Sequence, residues 1–438
     1  MLIRFKISNY SSFDDVQELS MISGPTEGNA DHVTSFPEFR LLRTSAVYGA
    51  NASGKSNLTK AMRSMKRLVV LDDKIPTDRY FRPDPDMART PSCFEMELEI
   101  DGTAYSYGFD CIISEQKVVD EWLYRLSATD DSEIIFTRTG NVIEHPFEGP
   151  EKQRVDIYAE DMFGHDDRLF LNVMGRRARP DDGSLKVFND VYDWFSSRLV
   201  FIDTEFPFSP EIPVSDSELD HVNRLMSTFG TGVNTIAYDR KEGLEELIPQ
   251  KLMDVLRTDL SQNKGPAAMR IGTSRYASVN GYRASLDGDR VVFDEIVYRH
   301  NGSRISYRSD EESDGTRRLY SLLASVFTGG DGRTYIVDEL DTSLHPQLTY
   351  RFVKMFLDET SLSGSQLIFT THESSLMDFA LLRRDEIWFM EKDEEGASAL
   401  YSLEEFNERN DRRVEKAYRE GRYGGIPVFS ALFPPGSE

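Results

Sequence analysis

The chain has 438 residues and a formal net charge of −24, from 51 Lys and Arg against 75 Asp and Glu. That length holds roughly two to three domains, and 39% apolar with 11% aromatic residues excludes a wholly disordered chain. No apolar run approaches the ~18 residues of a membrane-spanning helix, the opening MLIRFKISNY lacks the apolar core of a signal peptide, and two cysteines make no disulfide framework, so the sequence reads as cytoplasmic.

Residues 3 to 22 read as two short strands, IRFKIS and ELSMIS, joined by a polar turn around Ser11, Ser12 and Asp14. Leu41 to Tyr48 is a third strand that runs straight into GANASGKSN. A helix follows from about Asn57 to Leu71, because Leu58, Ala61, Met62, Met65 and Leu68 recur at helical spacing. Residues 92 to 111 form a hairpin about Asp101-Gly102, a pair that accepts the left-handed backbone of a two-residue turn. That turn sets Ile100 opposite Thr103, Leu98 opposite Tyr105, Met96 opposite Tyr107, Phe94 opposite Phe109 and Cys93 opposite Asp110. The apolar residues then share one face, and the two thiols fall on opposite faces. From about 150 to 265 the pattern is mostly helical, with helices over Val187 to Leu199 and Leu244 to Leu260 and no heptad run long enough for a coiled-coil arm. Residues 276 to 308 return to strands, with turn signals at Asp287-Gly288 and Asn301-Gly302; the second pairs Tyr298 with Ile305 and Ile296 with Tyr307. A helix over about 314 to 327, a strand over about 333 to 338, a helix after Pro346, a strand over about 366 to 371 and a last α/β stretch complete the chain.

Four short segments carry chemistry. Gly49-Ala50-Asn51-Ala52-Ser53-Gly54-Lys55-Ser56 matches G-x-x-x-x-G-K-[ST] between a strand and a helix. Its glycines let backbone N–H groups close on phosphate oxygens at a helix N-terminus. Lys55 is expected on the β- and γ-phosphates of ATP and Ser56 on Mg²⁺. A chance match in a strand-turn-helix unit is the bland alternative, and the other segments weigh against it. The run Tyr335-Ile336-Val337 ends in Asp338 and Glu339 at the carboxyl edge of a buried strand. Asp338 is expected to hold the metal and Glu339 to polarise the attacking water. Ser313-Asp314-Gly315 opens a helix and reads either as an anion site or as a plain N-cap. Thr370-Thr371-His372 ends a short strand, where a histidine can hydrogen-bond a γ-phosphate.

In this order the four segments resemble the ABC-type ATPase heads of the SMC, RecF and OLD-like group. The resemblance implies Walker A over Gly49 to Ser56, with Asn51, Ala52, Ser53, Gly54 and Asn57 in the nucleotide cradle. It implies a signature at Ser313 and Gly315, Walker B at Asp338 with catalytic Glu339, a D-loop at Ser343-Leu344-His345 and a switch residue at His372. DELDTSLHP, IRFKISNYSSF and GRYGGIP look closer still to the RloA or AbiLi-like AAA family ATPases of bacterial abortive-infection and phage-defence loci. The implied fold is α/β: a P-loop NTPase with an ABC-type head, built from a mixed central sheet plus an antiparallel β subdomain, and an inserted mainly helical lobe. The corresponding domains are residues 1–150 and 276–438 for the two halves of the head and 151–275 for the lobe. In that group two heads sandwich ATP, Walker motifs from one facing the signature of the other. His345 stands where many ABC heads carry Asp, and no glutamine sits in a recognisable Q-loop, Gln116 and Gln153 being weak candidates. Only 66 residues follow His372 (438 − 372 = 66), too few for the Toprim nuclease of OLD proteins.

Three functions fit these features unequally. The first is an ATP-hydrolysing regulator, a homodimer of heads that controls a separately encoded effector, nuclease-like in one version, in anti-phage defence. The second is a RecF- or SMC-like DNA repair ATPase that binds DNA directly; the charge of −24 opposes the broad basic surface this requires, although Arg176-Arg177-Arg179 and Arg412-Arg413 form small basic clusters. The third, a transporter subunit, fits the long middle lobe least. The seven histidines, at 32, 145, 165, 221, 300, 345 and 372, show no ligand-pair spacing, so no built-in metal nuclease is expected.

Overall fold

The computed structural model describes residues 1–25, 28–127, 132–178, 183–202, 213–263, 265–271, 280–406, 415 and 418. GRYGGIP, Arg179, Arg412 and Arg413 lie outside the described residues. The chain forms two compact units, one of Met1–Phe201, Gly332–Leu340 and Val353–Glu438, the other of Ile202–Asp331 and Asp341–Phe352.

The first unit is organised by a mixed sheet in the order Leu199–Ile202, Thr334–Val337, Gln366–Thr371, Thr44–Gly49, Ile387–Lys392, Ser398–Ser402. Thr334–Val337, Gln366–Thr371, Thr44–Gly49 and Ile387–Lys392 run parallel to one another, and Ser398–Ser402 returns antiparallel to Ile387–Lys392. The strands TSAVYG, TYIV and QLIFTT are buried at every position, as parallel strands covered on both faces must be. Their register pairs Val337 with Phe369, Thr371 with Tyr48 and Gly49 with Met390. The carboxyl ends of four strands therefore meet at one edge, where open α/β sheets present their ligand sites.

A second, antiparallel sheet takes the order Val142–Glu144, Glu133–Thr139, Lys117–Arg125, Thr103–Ile112, Ser92–Ile100, Leu2–Ile7, Gln17–Ser20. The hairpin from 92 to 111 has the register that its turn requires, from Ile100 opposite Thr103 to Cys93 opposite Asp110. Asp101 and Gly102 both take positive φ, 51° and 84°, which matches the right-handed twist of the two strands. Cys111 pairs with Ser92, and both thiols are free. Burial pushes the Cys111 thiol up to about 12 and also raises that of Cys93, so both remain protonated and unreactive at neutral pH.

The helix Lys55–Leu71 buries Leu58, Ala61, Met62, Met65, Leu68 and Val69 in a core shared with Phe5, Phe94 and Met96 of one sheet and Ile336 and Ile368 of the other. Gln366 ties the sheets together as well. Its fully buried amide accepts from Leu2 N at 2.6 Å and Thr334 Oγ1 at 3.0 Å, and donates to Leu2 O and Leu42 O, both at 3.0 Å. The helices Gly149–Asp161, Phe170–Gly175 and Lys186–Asp193 add Val155, Phe170, Leu171, Met174 and Phe188 to this core. Residues read as the start of an inserted lobe thus pack in the first unit up to Phe201, because their apolar faces complete its core.

In the second unit, Val233–Lys241, Arg290–His300, Asn280–Asp287 and Ala267–Ile271 form one antiparallel sheet, with Tyr307–Arg308 beside Arg290–His300. Val233–Lys241 is a strand inside the stretch read as helical; its neighbour Arg290–His300 supplies pairing along nearly its whole length. The helix expected from Leu244 begins only at Gln250, since Pro249 has no N–H to continue the helix from the turn at Leu244–Leu247. At Asn301-Gly302 Tyr298 faces Tyr307 rather than Ile305. Gly302 is left-handed but Asn301 is not, so the two-residue turn cannot form, and the Ser303 hydroxyl closes a longer loop by donating to Ile305 O and accepting from Ile305 N. No helix among the described residues is long and apolar enough to cross a membrane.

Candidate functional site

The strand Thr44–Gly49 delivers the glycine-rich loop, and the helix starts at Lys55. Two loop residues hold left-handed backbone, Ala52 at φ 65° and Gly54 at φ 113°. For Ala52 that conformation costs energy, and such strain collects where a loop must present its N–H groups in one direction. Gly49 has no room for a side chain: a Cβ would lie 2.4 Å from Met390 O on the neighbouring strand. Lys55 is buried, and its Nζ donates to Gly49 O at 2.8 Å and Ala50 O at 2.9 Å, so the ammonium curls back over the loop. The Ser53 hydroxyl is buried against Gly49 without a protein hydrogen-bond partner.

This loop forms the floor of a cleft of about 540 Å³ lined by residues 51–57, Glu339, His372 and Lys392. Glu339 and His372 enter from the ends of the adjacent parallel strands Thr334–Val337 and Gln366–Thr371. Thr370 fixes the acidic pair: its Oγ1 donates to Asp338 Oδ1 at 2.7 Å and accepts the Glu339 N–H at 2.8 Å. Glu339 itself sits at φ 48°, a second strained residue at the same edge. Asp338 stands beside Glu339 at the strand end without lining the cleft. The Ser56 hydroxyl and Asp338 carboxylate are hard oxygen donors of the kind Mg²⁺ takes, one or two from protein and the rest from phosphate and water. Among the described residues no group of three or more His, Cys, Asp or Glu side chains is placed to hold a metal.

All ten residues lining the cleft lie in the first unit, whereas Ser313 and Gly315 lie in the second. There Ser313 is the N-cap of the helix Asp314–Phe327, its Oγ accepting from Thr316 N at 3.2 Å. A Cβ on Gly315 would come within 2.7 Å of Ser343 O, so glycine is what lets the Ser313-Asp314-Gly315 turn close on Ser343-Leu344-His345. His345 accepts from Gln347 N through Nδ1 at 3.2 Å, at the start of the helix Pro346–Glu359.

Lys392, and the bonds of Thr370 to the acid pair, are what sequence reasoning missed here. Lys392 ends a strand whose Met390 pairs with Gly49, and only the sheet order brings that strand beside the loop. Thr370 differs from any other strand threonine only by its partners.

A family model described as "AAA domain, putative AbiEii toxin, Type IV TA system" matches residues 45–378, from the P-loop strand to just beyond His372. The chain belongs to this AAA family. It is accordingly an ATPase of the AAA type, and the match takes in the glycine-rich loop Gly49 to Ser56. Among solved structures, an SMC head domain from Thermotoga maritima is 14% identical, with 92% of this chain and 98% of that chain covered and a TM-score of 0.41. An Smc head domain with an extended coiled coil, bound to the C-terminal domain of ScpA derived from Pyrococcus furiosus, is 13% identical over 96% of this chain and 99% of that one, with a TM-score of 0.40. No curated protein matches the chain.

Proposed function

We propose that this AAA-family protein is an ATP-hydrolysing regulator that works as a dimer of heads and controls a separately encoded effector in bacterial anti-phage defence. The observation that carries the reading is the cleft that joins the glycine-rich loop to Glu339 and His372. In it Lys55 would leave its two loop carbonyls to neutralise the β- and γ-phosphates, while the loop N–H groups hold their oxygens. Ser56 and Asp338 would hold Mg²⁺, which would supply Lewis acidity to the phosphates. Glu339 takes the proton of the attacking water, and His372 hydrogen-bonds the γ-phosphate. The family description, with its toxin of a toxin–antitoxin system, supports a defence role. Residues 202–275 carry no glycine-rich or acidic catalytic pattern, which suits a docking surface whose position changes when ATP closes two heads.

Two experiments test this reading. Co-expression of the chain with its genetic neighbour should give toxicity or phage resistance that Lys55→Ala abolishes. Toxicity from the chain alone, unaffected by the neighbour, would make it the toxin itself and sink the regulator role. The dimer is tested by mixing. If Ser313 and Gly315 act on nucleotide held by a partner copy, a Lys55→Ala chain and a Ser313→Arg chain, each inactive, should together regain activity through one intact composite site. Heterodimers shown to assemble but without ATPase activity would rule out a shared site.

A further inference from the structure

The glycine-rich loop is gripped from behind by two serines that no motif includes. Ser398, at the start of the edge strand Ser398–Ser402, is 2% exposed, and Ser12, in the turn after the first strand, is 4% exposed. Ser398 Oγ lies 2.7 Å from the carbonyl oxygen of Ser53 and 2.8 Å from Ser12 Oγ, and Asn57 Nδ2 lies 2.8 Å from Ser12 Oγ. Ser398 Oγ is placed to donate both to Ser53 O and to Ser12 Oγ, and the Ser12 oxygen also accepts from the Asn57 amide. The two serines and Asn57 form one buried cluster behind the Ser53 carbonyl, where neighbouring hydrogen bonds polarise one another.

The backbone holds the two serines in place independently of their side chains. Ser398 N donates to Ser12 O at 2.7 Å, and Leu400 N donates to Gln17 Oε1 at 2.9 Å. The turn that carries Ser12 is strained, with Asn9 at φ 47° and Ser11 at φ 54°. It is also over-determined: Asn9 Nδ2 donates to Met87 O at 2.9 Å and Thr90 O at 2.7 Å, its Oδ1 accepts from Phe81 N at 2.9 Å, and Ser11 N donates to Arg79 O at 2.6 Å. Strain kept in this way is characteristic of a functional element. Gly54 completes the fit, since a Cβ there would lie 2.4 Å from Ser398 Oγ and 2.9 Å from Ser12 Oγ.

The consequence lies in one peptide bond. The Ser53 carbonyl and the Gly54 N–H belong to the same trans peptide and point in opposite directions. We propose that Ser398, ordered by Ser12, is a positioning residue of the nucleotide site: by holding the Ser53 carbonyl away from the cleft it aims the Gly54 N–H at the phosphates. Without the clasp the peptide is free to rotate and the loop must be ordered at the moment of binding, which weakens affinity without altering the reacting groups. The inference rests on the nucleotide-binding reading of this cleft.

The test uses the full chain, a fluorescent ATP analogue and steady-state ATP hydrolysis. Ser398→Ala should weaken analogue binding and raise KM for ATP about five- to tenfold, the worth of one well-made hydrogen bond, with kcat within about twofold because uniform binding is lost. The nucleotide-free chain should still melt cooperatively, within about 3 °C of wild type. Ser12→Ala should give a smaller effect of the same kind, and the double variant no more than Ser398→Ala alone, since the two act through one carbonyl. If Ser398→Ala fails to fold, Ser12→Ala alone carries the test, because it leaves Ser398 its bond to Ser53. Unchanged KM in Ser12→Ala and Ser398→Ala while Lys55→Ala has lost binding would overturn the clasp alone. A wild-type chain that binds no analogue would overturn the nucleotide reading, and the clasp with it.

Discussion

Glu339→Gln is expected to keep nucleotide affinity and to lower the rate of ATP hydrolysis by roughly 10²–10⁴-fold, the usual contribution of a positioned general base. Glutamine has nearly the shape of glutamate and leaves undisturbed the bond from its own N–H to Thr370 Oγ1, so the strand end should keep its geometry. What disappears is the capacity to accept a proton from water in a cleft that already holds the phosphate loop. Nucleotide should therefore accumulate on the enzyme unhydrolysed, which a single-turnover assay reads directly. Hydrolysis at the wild-type rate would remove Glu339 from the mechanism. The neighbouring carboxylate should behave differently: Asp338, held at the strand end by Thr370, is the proposed metal ligand, so its loss should show first as weaker affinity for Mg²⁺.

The second large effect concerns stability. Glu121 is fully buried, its carboxylate 3.6 Å from the equally buried guanidinium of Arg138. It accepts from Tyr107 OH at 3.0 Å and from the first N–H groups of the helix Phe170–Gly175, Phe170 N at 2.7 Å and Leu171 N at 2.9 Å. Arg138 in turn donates to Gly140 O at 2.8 Å and Arg168 O at 2.5 Å. Glu121→Ala strands a buried cation and two helix N–H groups together, and is expected to cost about 3–5 kcal/mol, as breaking one side of a buried pair does. Urea denaturation would measure this, and a loss below about 1 kcal/mol would refute it. The pH dependence has a definite sign. Burial pushes the Glu121 carboxyl above its usual range, with Arg138 pulling the other way. A raised folded value means that the contribution is complete below the unfolded value and is lost as pH rises through the folded one. The gap between wild type and variant should narrow as pH rises.

These two residues show how differently parts of the molecule could be read from the chain. Glu339 stands at the end of an uninterrupted apolar run, and its neighbour in sequence is the other acid, so a local pattern is enough to single it out. Glu121 lies in a strand of alternating residues where an outward-facing acid would look the same; only the packing of the helix at Phe170 over that strand makes it the most enclosed charge of the sheet. The turn at Asn301-Gly302 is the converse case, a strong local signal that long-range pairing overrode. Asp101-Gly102 has both residues left-handed, as the pattern asks, whereas Asn301 N donates to Gly232 O at 3.3 Å and Ser303 offers a competing set of bonds to Ile305.

By itself the sequence determined whatever rests on a few consecutive residues. The phosphate loop between strand and helix, the acid pair at a strand end, the hairpin register from 92 to 111 and the burial face of the helix after Lys55 all follow from local sterics and from periods of 2 and 3.6 residues. Tertiary structure decided what depends on residues far apart in the chain. It placed Lys392 beside the loop through sheet order, fastened Asp338 and Glu339 to Thr370 across neighbouring strands, drew residues 151 to 201 into the first core, and set Ser12 and Ser398 behind Ser53. Those two serines are separated by 386 positions, and a hydroxyl carries no mark of the partner it will meet: hydrogen bonds of this kind are specified by the fold, not by the spacing of residue types.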